Sequence, residues 1–276
     1  MELRCASIPP SLADRLVVAF PGNVEDGAEP KMALSFASQG DMKFGEPSLV
    51  ENRERFLSGL GIERGSSRGL RLAHSRNLLF PEAADDVASL ASAAGGADGL
   101  VVRDRGLAPT VTVADCMPIW LFDRDSGAFG LLHSGWKGTG ILRIAVLELR
   151  RRFGSRPQSM AVVLGPAIGS CCYAVPEERA VSFAAEFGEE AAPRRGGENF
   201  LDLRAANIAL AEGLGIGYLL SIDACTSCDR RLGSYRRQGS DSFTRMLAVC
   251  GFFEAEPNFD GDWTRRHPSD GVGPLS

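Results

Sequence analysis

The chain has 276 residues, 44% of them hydrophobic, with a formal net charge of -5 and a pI near 5.4; that length supports one large core or two modest ones. The acidic balance argues against a nucleic-acid partner, which would call for a basic face to displace counterions from phosphates, and no apolar run approaches the roughly 20 residues of a membrane span. Charges break up the apolar residues at the start and the seven cysteines form no even framework, so a cytoplasmic protein without signal peptide, membrane or nucleic-acid partner is expected, a monomer or weak homo-oligomer.

Short apolar patches punctuated by Gly and Pro predict strands through the first fifty or so residues. VENRERFLSGLG at 50–61 has helical spacing and a glycine stop, whereas 81–99 reads as loop or weak helix. Strands follow at GLVV, TVTVA, MPIWLF and AFGLLH, and a helix at ILRIAVLELRRRF with a basic last turn. SMAVVLGPAIG is a buried strand entering a glycine and proline loop. PEERAVSFAAEF and LDLRAANIALAEGLG are helices, and YLLSID and MLAVCGFF are the closing strands. Strands mixed irregularly with helices predict an α+β fold, a layered α/β sandwich of mixed, largely antiparallel sheets. A single catalytic domain over 1–255 and a flexible tail over 256–276 are expected.

Cys116 and His133 each sit at the end of a strand-like run. If they face each other across a hairpin, cross-strand numbers sum to 249, Phe122 faces Gly127, and Asp123 to Ser126 form the loop. Facing partners have Cβ atoms about 4.5–5.5 Å apart, close enough to share one ion, while a slip of one residue would separate their faces. The ordinary alternative is a small buried cysteine and a hydrogen-bonded strand-end histidine. SGWKGTG, which follows His133, weighs against it: three glycines surround Lys137, one of three lysines in the chain, just before a helix whose first N–H groups suit an anion.

A catalytic zinc site needs three protein ligands and an open position. The chain has three histidines; His267 lies in the polar tail, which leaves His74 in GLRLAHSRNLLF as the third donor. His74, Cys116 and His133 thus form the candidate catalytic and metal-binding set, with N, S and N donors suited to zinc or copper as cofactor. Asp115, beside Cys116, would point away from it in a strand. Cys171 and Cys172 read as packing, and Cys225-x-x-Cys228, lacking a second pair, as structure.

ADCMP, LLHSGWKG, GPAIGSCCYAV, FLDL with Asn207, and CT before SYRR occur in the order found in a known family. The chain resembles the laccase-type or multicopper polyphenol oxidoreductase proteins, now regarded as zinc-dependent purine nucleoside phosphorylases that also deaminate adenosine and cleave methylthioadenosine. The resemblance extends through GADGLV, Asn52–Arg53 and Gly40–Asp41, and departs at LAHS and ALSFASQGDM. It implies that His74, Cys116 and His133 hold the metal, and that a purine nucleoside and phosphate are the substrates. Arg53, Arg76, Lys137, Arg236 and Arg237 lie in or beside matched motifs as phosphate candidates, Gly165 opens a loop of backbone donors, and Tyr173 is a candidate for stacking on a base.

Two rival readings remain at this level. Three histidines cannot furnish the several sites of a multicopper oxidase, although one copper at the trio could oxidise phenols. A metal-free hydrolase would use Cys116 as nucleophile and His133 as base, with no need of His74.

Overall fold

The computed structural model describes residues 1–21, 29–63, 65–81, 87–88, 92, 94–259 and 264–265. In chain order the strands are β1 (Glu2–Ala6), β2 (Arg15–Ala19), β3 (Lys31–Ser35), β4 (Ser67–Gly69), β5 (Leu78–Leu79), β6 (Gly99–Val102), β7 (Ala108–Val113), β8 (Met117–Asp123), β9 (Phe129–Ser134), β10 (Met160–Leu164), β11 (Ala174–Val175), β12 (Arg194–Arg195), β13 (Glu198–Phe200), β14 (Tyr218–Ile222), β15 (Met246–Gly251) and β16 (Thr264–Arg265). The helices are α1 (Val50–Ser58), α2 (Ile141–Phe153), α3 (Glu177–Phe187), α4 (Leu203–Leu214) and the single turn α5 (Tyr235–Gln238).

An eight-stranded sheet runs β16-β1-β14-β10-β8-β9-β6-β5, a five-stranded one β2-β3-β15-β7-β4, and a small third sheet β11-β13-β12. Pairing is mixed: β1 with β14 and β10 with β14 are parallel, whereas β8 with β9 and β6 with β9 are antiparallel. The two large sheets pack face to face, with Trp120, Phe122, Phe129 and Val163 of one meeting Leu16, Leu34, Val111 and Ala248 of the other. Trp120 Nε1 donates to Val249 O across the interface at 2.8 Å. On the far side of the larger sheet, Ile119, Leu121 and Val162 pack under Ile141, Ala145 and Leu149 of α2 and Ala206 of α4. On the far side of the smaller one, Val17 and Val249 meet Phe56 of α1.

This four-layer order explains why the central strands read as unbroken apolar runs: all seven residues of β8 and all five of β10 are buried because both faces are covered. Helix α2 follows from its stripe of Ile141, Leu142, Ala145, Val146 and Leu149 and stops at Gly154, φ +68°. Asp202 caps α4 by accepting the Ala205 N–H at 2.9 Å. The expected α+β sandwich is what the chain forms.

Two expectations change. The hairpin register is displaced by two residues: Pro118 stands opposite His133 and Phe122 opposite Phe129. The segment from 256 begins packed: Asn258 Oδ1 accepts the Val17 N–H at 2.7 Å, Phe259 is buried, and Thr264–Arg265 pairs with β1. Residues 82–86, 89–91 and 93 of the ambiguous 81–99 stretch, and residues 266–276 with His267, lie outside the described residues. Among the described residues no helix is long and apolar enough to cross a membrane.

Candidate metal centre

The pairing pattern places the starts of β6 and β8 and the ends of β9, β10 and β14 at one end of the larger sheet. His133 is the penultimate residue of β9, and Cys116 immediately precedes β8. Cys116 reaches His133 from a bend and not as a cross-strand partner, because Asp115 takes φ +86°, a left-handed conformation that turns the chain before the strand. His74 lies on an exposed loop, also left-handed at φ +52°.

One buried carboxylate fixes this geometry. Asp98 Oδ1 lies 2.8 Å from His133 Nδ1 and accepts the His74 N–H at 3.0 Å. Its Oδ2 accepts the N–H and hydroxyl of Ser75, each at 2.7 Å, and the Asp98 carbonyl accepts the His133 N–H at 2.6 Å. Asp98 is fully buried, where an unsatisfied carboxylate would be costly; these donors supply the compensation and hold its pKa below the ordinary value even though burial alone would raise it. With Nδ1 turned to Asp98, His133 presents Nε2 to the site.

The ligand atoms of His74, Cys116 and His133 all lie within 4.8 Å of one another, and the two imidazoles meet edge to face with centroids 5.1 Å apart. Burial alone would raise the Cys116 thiol, but the charge and hydrogen bonding of His133, with smaller contributions from His74, pull it down to about 6. Burial would depress His133, yet the Cys116 thiolate and Asp98 push it up to about 10. A thiolate beside an imidazolium is a proton-filled version of a metal site, ready to exchange its protons for a cation. Zinc bonds of about 2.0–2.3 Å would draw donors that stand up to 4.8 Å apart closer together, and two nitrogens with one sulfur leave a fourth position open. A methyl group at Gly135 would lie 2.7 Å from Cys116 Sγ, so this glycine keeps space for the sulfur.

The trio opens onto a cleft of about 1060 Å³. Its walls carry Phe44, Trp136, Tyr173, Tyr235 and Phe243 together with Lys43, Arg71, Arg179, Arg236 and Arg245. Arg179 lies over Trp136 and Arg245 over Phe243, 4.4 and 3.9 Å from the ring centroids. Arg245 is paired with Asp41 at 3.0 Å, whereas Arg71 has no ion-pair partner among the described residues.

Among the motif residues nominated for substrate, Tyr173 and Arg236 line the cleft. Burial, with the nearby Cys116 charge, pushes the Tyr173 hydroxyl up to about 12. The backbone N–H of Arg236 donates to Asp115 Oδ2 at 2.7 Å while the Thr226 hydroxyl donates to Oδ1 at 2.7 Å, so both Asp115 oxygens are engaged in tying the cleft wall together. Arg53 stacks on Phe44 at the edge of a neighbouring pocket. Arg76 pairs with Glu186 through two 2.7 Å contacts, and Lys137 lies over Trp136; neither lines the cleft. Arg237 is turned to the Ser227 and Asp229 carbonyls at 3.1 and 3.2 Å.

The expected backbone phosphate donors are engaged elsewhere. In the GPAIG loop, Gly165 N–H donates to Pro118 O, Ala167 to Ala224 O, Ile168 to Asp115 O and Gly169 to Cys225 Sγ. Gly165 is tightly packed instead, since a methyl there would come within 2.6 Å of Pro118 and Trp120. At the start of α2, Ile141 N–H donates to Gly138 O and Arg143 to Gly140 O, so that loop also closes on itself. Sequence reasoning missed Asp98 and Arg71; their signals were a carboxylate immediately before β6 and a cation three residues before His74.

Residues 31–252 match the family described as multi-copper polyphenol oxidoreductase laccase. A purine nucleoside phosphorylase of Deinococcus radiodurans is 33% identical over 204 residues, 74% of this chain and 77% of that protein. A protein of an unknown prokaryotic organism named adenosine deaminase RL5 is 33% identical over 165 residues, 57% of this chain and 63% of its own length. The fold is similar to the crystal structure of the hypothetical protein YfiH of Bacillus licheniformis, with a TM-score of 0.74 and 25% identity over 88% of this chain and 97% of that one. With motif order, fold and site in agreement, the chain belongs to the multi-copper polyphenol oxidoreductase laccase family.

Proposed function

We propose that the chain is a zinc-dependent purine nucleoside phosphorylase that splits adenosine, inosine, guanosine or methylthioadenosine with phosphate, and that the same site deaminates adenosine. The observation that carries this reading is the convergence of His74, Cys116 and His133 within 4.8 Å beneath an aromatic and cationic cleft. The names of the relatives support the substrate class. The donor set fits zinc: two imidazole nitrogens and one thiolate, with a carboxylate behind one imidazole. When bound there, zinc would supply Lewis acidity at its open position.

In phosphorolysis a phosphate oxygen forms a bond to C1′ while the C1′–N9 bond breaks, and the purine leaves with the electron pair and takes up a proton. The chain's part is positioning and electrostatics. Arg71 and Arg236 offer cations to the phosphate, and Tyr173, Trp136 and Phe44 offer faces to the purine. Asp98 holds His133 in one orientation. Seven free cysteines support a reducing, cytoplasmic setting.

Release of hypoxanthine from inosine is expected only with phosphate present, together with zinc in the untagged protein. No base release from any of the four nucleosides by the zinc-loaded protein would overturn the reading. The low thiol pKa of Cys116 also suits a metal-free Cys–His hydrolase. His74→Ala separates the two: loss of the ion held by the trio together with loss of activity supports the zinc enzyme, and full activity without an ion at the trio supports the hydrolase.

A further inference from the structure

Cysteines 171, 172, 225 and 228 come from two loops distant in sequence, yet their sulfurs all lie within 4.8 Å of one another. Cys228 Sγ is 3.4 Å from Cys172 Sγ and 3.7 Å from Cys171 Sγ. A tetrahedral ion with Zn–S bonds of about 2.3 Å places its sulfurs about 3.8 Å apart. Two of the separations thus already match a four-sulfur cage around one ion, and the others, at no more than 4.8 Å, are close to it. The sequence's lone Cys225-x-x-Cys228 gains its second pair only through the fold.

We propose that Cys171, Cys172, Cys225 and Cys228 hold a second, structural zinc ion, separate from the His74, Cys116 and His133 centre.

The surroundings are built as a tetrathiolate site requires. The Gly169 N–H donates to Cys225 Sγ at 3.2 Å, and the turn at 225–229 is closed by Cys228 and Asp229 N–H groups on Cys225 O at 3.1 and 2.9 Å. Gly169 is tightly enclosed by the quartet, since a methyl would lie 3.2 Å from Cys171 Sγ and 3.3 Å from Cys225 Cβ. Four thiolates around a divalent cation leave a net negative charge of about two, and two guanidiniums stand beside it. Arg195 donates to Ser170 O, and Arg237 donates to Ser227 O and Asp229 O at 3.1 and 3.2 Å.

Four protein ligands leave no position for substrate, so this ion would act on structure. It joins the loop after β10 to the loop after β14, which already meet at the Ala167–Cys225 bridge. The first loop carries Ile168, whose N–H donates to Asp115 O, and leads to Tyr173; the second carries Thr226, whose hydroxyl donates to Asp115 Oδ1. A zinc ion there clamps the cleft wall next to Cys116.

The test uses the full chain, purified without chelator and analysed for metal and for X-ray absorption at the zinc edge. The wild-type protein is expected to hold two zinc ions per chain, and Cys228→Ser and His74→Ala one each. The zinc retained by His74→Ala should show a sulfur-only shell at about 2.3 Å. Should Cys228→Ser misfold, that sulfur-only signal in His74→Ala still decides the question. A His74→Ala protein free of zinc, or one whose zinc shell contains nitrogen, overturns the proposal. So does a non-reduced mass lacking two hydrogens, the mark of a disulfide within the quartet. None of these readouts depends on nucleoside turnover, so failure here is distinct from failure of the phosphorylase reading.

Discussion

Two thiol-bearing clusters stand among the described residues of this chain, and they differ in donor type and support. His74, Cys116 and His133 supply two nitrogens and a sulfur at a cleft floor, behind which lies the fully buried Asp98. The quartet at 171, 172, 225 and 228 supplies four sulfurs, with Cys171 and Cys228 exposed, and is joined mainly by loop turns. Three mixed donors leave a vacant coordination position beside an aromatic wall, which suits chemistry; four like donors close the sphere, which suits architecture.

The largest effect that sharpens this contrast should come from the trio. Cys116→Ala or His133→Ala should remove the zinc of that centre and reduce phosphorolysis to the uncatalysed background, measured by metal analysis and base release, while the quartet keeps its ion. Asp98→Asn retains shape but loses the anionic partner of His133; metal affinity or activity should fall about 10- to 100-fold, read by chelator competition and kcat/KM. Arg71→Ala should raise KM for phosphate about 10- to 100-fold with little change in kcat, the loss of a charge-assisted contact. Arg76→Ala should change neither constant and cost less than about 1 kcal/mol in denaturant unfolding, because its pair with Glu186 is on the surface. A large loss of phosphate affinity in Arg76→Ala would move the phosphate site to the α2 side of the cleft rim.

Much of the scaffold was legible because burial on both faces leaves a plain signature: MPIWLF, MAVVL and MLAVC read as strands without any alternation. The trio was legible because histidine is rare here, so elimination alone left His74. The quartet was not, because nothing local brings 171 and 172 to 225 and 228; the parallel pairing of β10 with β14 does so. The hairpin register was misread by two residues because the composition of 123–128 does not reveal that Asp123 N–H donates to Ala128 O at 2.8 Å. The phosphate loops were misread because a glycine-rich stretch shows how many amides it has, not where they point; those of 165–169 donate to Pro118 O, Ala224 O, Asp115 O and Cys225 Sγ.

Gly135 carries the last consequence. Its backbone is ordinary enough for alanine, yet the added carbon would sit 2.7 Å from the Cys116 sulfur. The position therefore works as a molecular watermark: natural chains that have abandoned the thiolate are free to grow a side chain there, and those that still use it are not. Finding many relatives with an intact His, Cys, His set and a bulky residue at this place would show that the sulfur has another way out.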